Sequence, residues 1–144
     1  MSDPVRDACE ACFDAHKDDC SGFVRAVAGE LGIHLTGLAD DIVGTIRSGG
    51  EWVALADGIS AAHAAGDGKF VVAGLKGSEQ THPDPHGHVV VVVDGPLAHD
   101  KYPSAYWGQL HGTGAKDKTL NWAWTEQDRD RIAYAAHIVA SIAS

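Results

Sequence analysis

Long apolar runs, paired cysteines and an excess of basic side chains are all missing from this sequence of 144 residues. The longest apolar run, residues 89–93, is strand-sized and far short of the ~20 residues that a membrane helix needs. A formal net charge of −9 argues against a nucleic-acid binder, because such proteins gain affinity from Lys and Arg on phosphates. No basic region followed by an apolar segment opens the chain, so we expect a soluble protein made in the cytoplasm without a signal peptide.

Cysteine is scarce, and its three occurrences, Cys9, Cys12 and Cys20, all lie near the start of the chain. An odd number of cysteines so close together is a poor disulfide framework. Cys9-x-x-Cys12 also lacks the second pair of ligands that a zinc finger needs. The composition, 44% apolar and 22% charged, is that of an ordinary globular protein, and no repeat or linker divides it. The sequence therefore predicts one domain over residues 1–144.

Helical patterns occupy the first part of the chain. Ser2 and Pro4 predict the start of a first helix, with Cys9 and Cys12 packed on its buried stripe. Further helices are predicted over residues 20–31 (capped by Asp18 or Asp19 and ended by Gly32), 36–47 and 59–65.

Strand patterns follow, and we expect a helix at the end. Runs of β-branched residues bounded by Gly, Pro and Asp predict strands over residues 69–75 and 88–94, with a third near residues 106–110. The last helix is predicted over residues 125–142, because Thr125 and Asp128 hold capping positions. The charged run at residues 128–131 is interpreted as a solvated face. Helices first, strands in the middle and a helix last predict an α+β fold.

The motif Asp19-Cys-Ser-Gly-Phe-Val places the thiol of Cys20 at the start of an amphipathic helix. Unpaired N–H groups and the positive end of the helix dipole stabilise a thiolate there, so we expect the pKa of Cys20 to lie below ~8.5. Gly22 is expected to keep the approach to the sulfur open, and the Cys20 N–H can help to bind an oxyanion. Asp19 and Ser21 either contact the substrate or only shape the turn.

A candidate base for this thiol is His88, which heads a buried strand after Gly87. The sheet fixes its backbone, and the glycine is expected to leave room beside the ring. Such a histidine can take the thiol proton and return it to a leaving amine. A cysteine early on a helix and a histidine later on a strand is the chain order of papain-like enzymes.

These two motifs resemble those of NlpC-type papain-like peptidoglycan hydrolases. The chain is similar more narrowly to the first family of type VI secretion amidase effectors. Seven segments carry this resemblance, in chain order: Cys20-Ser-Gly-Phe-Val, Glu30-Leu-Gly, Ala73-Gly-Leu-Lys-Gly77, Gly87-His-Val, Gly95-Pro-Leu, Lys101-Tyr-Pro and Asp128-Arg-Asp-Arg131. Together they span nearly the whole chain.

The resemblance implies a papain-like fold whose cysteine helix packs on a central antiparallel sheet. It implies a cysteine amidase without a cofactor, with Cys20 as nucleophile and His88 as base. The expected substrate is the stem peptide of peptidoglycan, cut between γ-D-glutamate and meso-diaminopimelate. Such proteins are delivered by the type VI apparatus into the periplasm of a target bacterium, and a cognate immunity protein is expected in the producer.

One catalytic position and one loop depart from the family pattern. The group that orients the histidine falls on Trp107, whose indole can only donate, so its backbone carbonyl and the side chain of Gln109 both stay open. The loop over residues 78–87 is long and rich in His and Pro. No cysteine lies near the C-terminus, so a disulfide between the chain ends, as in some relatives, cannot form.

Two alternatives to the cysteine amidase are kept. A metal-dependent hydrolase would use His82, His86 and His88, with Asp84 nearby, because imidazole and carboxylate form a plausible divalent-metal set. A non-catalytic adaptor on a papain-like scaffold would have no need of Cys20 and His88.

Overall fold

The computed structural model describes residues 3–110 and 112–140. Its helices are α1 (Pro4–His16), α2 (Cys20–Glu30), α3 (Ala39–Arg47) and α4 (Gly58–Gly66), with short 3-10 helices at Gly77–Glu79 and Leu120–Trp122. Its strands are β1 (Val53–Leu55), β2 (Phe70–Leu75), β3 (His88–Val92), β4 (Ser104–Trp107), β5 (Ala115–Thr119) and β6 (Ala133–His137). Across both described ranges, no helix has the length and apolarity needed to cross a membrane.

The six strands form one antiparallel sheet in the order β1-β6-β2-β3-β4-β5. Side chains alternate between the two faces of each strand, so each face carries its own apolar cluster. Helices α1, α2 and α3 pack on one face, with Val89 and Val91 of β3. Helix α4 and the segment around Leu120 pack on the other, with Val90 and Val92. The fold is therefore α+β, as the sequence predicts.

The predicted helices are present with small shifts of their ends. Ser2 lies outside the described residues, and Asp3 caps α1 by accepting the Arg6 N–H at 3.1 Å. Cys9 and Cys12 are buried on the core side of that helix, as expected. Helix α3 begins three residues later than predicted, and α4 extends one residue further at each end.

The strands of the middle segment are confirmed, and two more exist. Both β2 and β3 lie within their predicted ranges, whereas the third predicted strand is displaced to Ser104–Trp107. Its displacement has a steric cause: at Gly108 a Cβ would lie 2.4 Å from the His16 carbonyl oxygen, so the chain leaves the sheet to pack on the α1–α2 connection. The sequence did not reveal β1 or β5, which are short and largely exposed edge strands.

The predicted C-terminal helix over residues 125–142 is wrong. Thr125 and Asp128 do pair, but they close a single turn, and the chain then forms β6 between β1 and β2. Tyr134 and Ala136 face one apolar cluster and Ala135 the other. A short alanine-rich run buried on both sides has no periodicity that separates helix from strand, so pairing with the open edge of β2 decides its structure. The end of the predicted helix lies outside the described residues.

Candidate active site

A groove of about 850 Å³ crosses the end of β3, between the N-termini of α2 and α3 and the loop that precedes β3. Both Cys20 and His88 line it, so the fold brings together the two residues that the sequence selected. The rest of the lining combines acidic and other polar residues with apolar ones, and it consists of Asp18, Asp19, Ser21, Leu38, Ala39, Asp40, Asp41, Gln80, Asp84, Pro85, His86, Gly87, Gln109, Leu110 and Ala123.

Cys20 is the first residue of α2, and Asp19 is the cap of that helix. The Asp19 Oδ1 atom accepts the Gly22 N–H at 3.1 Å and the Ser21 hydroxyl at 3.1 Å. The Cys20 thiol is nearly buried and donates to the Gly87 carbonyl at 3.9 Å, next to His88. Asp19 and Ser21 therefore shape the turn that presents the sulfur at the end of β3.

The two glycines of the motifs, Gly22 and Gly87, each make room for a neighbouring carboxylate. At Gly22 a Cβ would lie 2.4 Å from the Asp19 carboxylate, so this glycine admits the capping side chain and does not open a path to the sulfur. At Gly87 a Cβ would lie 2.4 Å from Asp40 Oδ1, an atom that also accepts the Gly77 N–H at 3.0 Å. Gly87 therefore makes room for the Asp40 carboxylate.

The structure overturns the expected low pKa of Cys20. Burial raises the pKa of this thiol, and this effect outweighs the backbone N–H groups of Val89, Ser21 and Cys20, which lower it. The negative charge of Asp19 raises it further. The helix N-terminus acts on the sulfur as predicted, but it does not compensate for the loss of solvent. Cys20 is therefore a thiol at neutral pH and needs a base.

The first residue of β3, His88, pairs in register with Leu75 of β2. Its half-buried imidazole packs edge-on against Trp124, with ring centroids 5.1 Å apart and an interplanar angle of 64°. Burial lowers the pKa of His88 from 6.5 to about 4. The imidazole is therefore neutral at pH 7 and free to accept a proton, so the groove holds a thiol and a neutral imidazole.

The two candidates for orienting His88 occupy different positions. Trp107 is buried in the apolar cluster, and its carbonyl oxygen lies against Gly114, on the β5 side of the strand. The β3–β4 pairing joins Val91 with Tyr106 and Val92 with Ala105, and β4 ends at Trp107, before Gln109. Gln109 lines the groove, and its N–H donates to the Lys17 carbonyl at 3.0 Å.

The histidine-rich loop does not form a metal centre. Throughout the described ranges, no group of three or more His, Cys, Asp or Glu side chains is placed to hold a metal ion. Asp84 and His86 line the groove, whereas His82 is exposed and lies outside it. The geometry thus gives the metal alternative no support.

This loop is instead held by a buried carboxylate that the sequence analysis placed on a solvated face. Asp128 is 3% exposed, and its Oδ1 accepts the Thr81 N–H at 2.9 Å and the Thr81 hydroxyl at 2.7 Å. Arg131 donates to the same oxygen at 2.9 Å, and the Thr125 hydroxyl donates to Oδ2 at 3.1 Å. Burial would raise the pKa of Asp128, but these partners hold it below its ordinary value. In the sequence, the Thr125-x-x-Asp128 spacing was the signal that could have indicated a hydrogen-bonded Asp128.

We expect Asp128→Ala to destabilise the protein by about 1–3 kcal/mol, because donors from Thr81 and Thr125 lose their acceptor in a partly buried setting. Urea unfolding measures the loss. Asp14→Ala is the matched control, since Asp14 is exposed on α1 and makes no hydrogen bond within the part of the chain that is described. An equal change in both variants would contradict the proposed importance of Asp128.

An antiparallel sheet with a cysteine helix packed on it, its thiol at the end of a histidine-bearing strand, defines a papain-like α+β protein. No family model matches the chain. Over 130 residues it is 39% identical to the peptidoglycan amidase Tse1 of Pseudomonas aeruginosa, a match that covers 88% of this chain and 79% of the relative. The chain belongs to the family of that amidase.

Proposed function

We propose that this protein is a cysteine amidase of peptidoglycan, with Cys20 as nucleophile and His88 as general base. The observation that carries the proposal is the shared groove, which is lined both by a thiol at a helix N-terminus and by a neutral imidazole on the first residue of β3. Membership of a peptidoglycan amidase family supports the substrate class. The bond is the amide between γ-D-glutamate and meso-diaminopimelate of the stem peptide.

The reaction follows from the protonation states of the two groups. His88 takes the proton of the Cys20 thiol as the sulfur attacks the γ-carbonyl carbon of D-glutamate. The Cys20 N–H, at the first turn of α2, donates to the oxyanion that forms. His88 then gives its proton to the diaminopimelate nitrogen, the C–N bond breaks and a thioester remains. Water, deprotonated by His88, hydrolyses the thioester and restores the thiol.

The supporting residues act on the geometry of this pair. Gln109, which lines the groove together with His88, is the residue proposed to orient the imidazole through its side-chain amide, whereas buried Trp107 packs in the core. Asp19 and Ser21 fix the first turn of α2 and with it the direction of the thiol.

Digestion of isolated sacculi tests the proposal, with the products identified by mass spectrometry. We expect release of peptides that begin with diaminopimelate, and glycan that keeps L-Ala–D-Glu. Iodoacetamide should stop the reaction and EDTA should not.

Sensitivity to EDTA would favour the alternative metal site at His82, His86 and His88. Shortened glycan with intact stems would exclude an amidase, since a glycosidase needs a pair of carboxylates. Sacculi that remain unchanged would favour the alternative of a non-catalytic adaptor on a papain-like scaffold.

The biological setting is part of the same proposal. The protein acts in the periplasm of a target bacterium, after delivery by a type VI secretion apparatus. A cognate immunity protein in the producer covers the groove. Peptidoglycan lies outside the cytoplasm. A protein that is made in the cytoplasm of the producing cell therefore reaches this substrate only after it has been delivered to the target periplasm.

A further inference from the structure

The His88 ring is in contact with the side chain of Trp124. Trp124 is 9% exposed and stands edge-on to the imidazole, with 5.1 Å between ring centroids. We propose that Trp124 is a positioning residue that holds the His88 ring at the groove and keeps water from its inner side. This inference rests on the proposed role of His88 as the base.

The position of the Trp124 indole is fixed by the backbone on either side of it and not by a hydrogen bond of the indole itself. On one side the Ala123 N–H donates to the Leu120 carbonyl at 2.9 Å, which closes the 3-10 turn. On the other, Thr125 and Asp128 close the next turn through their side chains and backbone. The indole Nε1–H has no hydrogen-bond partner among residues 3–110 and 112–140. A buried donor in this state destabilises the fold, so stability alone does not favour tryptophan here.

The strand fixes the backbone of His88, but its ring can still rotate about two side-chain bonds. An edge-to-face aromatic contact restricts that rotation, because aromatic pairs favour this arrangement of their rings. The same contact removes solvent from the imidazole, and burial is what lowers the pKa of His88. The titratable groups that share the groove with His88 are Asp18, Asp19, Cys20, Asp40, Asp41, Asp84 and His86. A change at Trp124 alters none of these side chains.

Trp122, two residues earlier, supplies a matched control. Its side chain is 69% exposed, and its ring lies 5.1 Å from Lys118 Nζ, outside the groove lining. It shares with Trp124 the residue type and the local segment, but not the contact with His88. A substitution at Trp122 therefore reports the effect of losing a tryptophan from this segment, and a substitution at Trp124 reports in addition the loss of the ring that contacts His88.

The experiment compares Trp124→Leu, Trp124→Met and Trp124→Phe with Trp122→Leu. Folding is checked by circular dichroism, and the pKa of His88 is measured by NMR titration of its Cε1–H in the Cys20→Ala background. We expect the Leu and Met variants to raise this pKa from about 4 toward 6.5, and to lower kcat about 10- to 100-fold with little change in KM. Trp124→Phe should keep both values near wild type, as should Trp122→Leu.

A folded Leu or Met variant with the wild-type pKa of His88 and the wild-type kcat would overturn the inference. So would a Trp124→Phe variant as impaired as Trp124→Leu, because the ring would then not be what matters. If both non-aromatic variants unfold, the Phe variant decides alone through the same titration. The titration needs no substrate, so it tests the contact even if the amidase assignment fails in the sacculus digestion.

Discussion

Cys20→Ala should lower amidase activity on sacculi by a factor on the order of 10⁶, because Cys20 forms the covalent intermediate of the proposed reaction. The variant should remain folded, since the hydrogen bond from the thiol to the Gly87 carbonyl is long, at 3.9 Å, and the Asp19 cap is untouched. Directed to a bacterial periplasm, the wild-type protein should cause lysis and the variant should not. The measurements are product release by mass spectrometry and optical density of the culture.

The other two cysteines are the controls for this prediction. Cys9 is 0% exposed, and burial raises the pKa of its thiol well above the ordinary value, so it is an inert core residue. Cys9→Ala and Cys12→Ala should lose some stability and keep activity under conditions where they are folded. Lysis by the Cys20→Ala variant would reject the mechanism as a whole.

His88→Gln should lower kcat by about 10² to 10⁴, the usual effect of removing a general base. The double variant His82→Ala/His86→Ala should stay within a few fold of wild type, because His82 is exposed outside the groove and His86 is exposed on its loop. Rates measured from pH 4 to 8 should show an acidic limb near pH 4 for the wild type, where His88 becomes protonated. Equal losses in the double variant would point to the metal alternative.

The same histidine should make the folded state sensitive to acid. Its pKa is about 4 in the folded protein against 6.5 for an ordinary histidine, so between these values the unfolded chain binds a proton that the folded chain does not. Stability should therefore fall as the pH drops from 6.5 to 4, by about 3 kcal/mol from this group. His88→Gln should remove that part of the loss in urea unfolding at pH 7 and pH 4.5. A difference between variant and wild type that does not change with pH would contradict this account.

Local chemistry determined the N-terminal half and the position of the candidate site. A capping aspartate at Asp19, an apolar stripe and a terminating Gly32 are signals that operate within one or two turns, and α2 begins at Cys20 as predicted. The β-branched run that follows His88 is a strand for equally local reasons. Cys20 and His88, the two residues that the sequence selected, line the same groove. The Cys20 thiol contacts Gly87, the residue before His88, across 67 positions of the chain.

Only the tertiary structure decided the rest, because the forces involved act between segments distant in the chain. β6 is a strand because β2 offers a hydrogen-bonding edge, a fact that an alanine-rich run does not contain. The pKa of Cys20 is raised because burial by the folded chain outweighs the helix terminus. Asp128 is buried because Thr81 reaches it from the groove loop, and Trp124 covers His88 because two capped turns deliver it there. Sequence supplies the reacting groups, and packing sets their solvent, their protonation states and their neighbours.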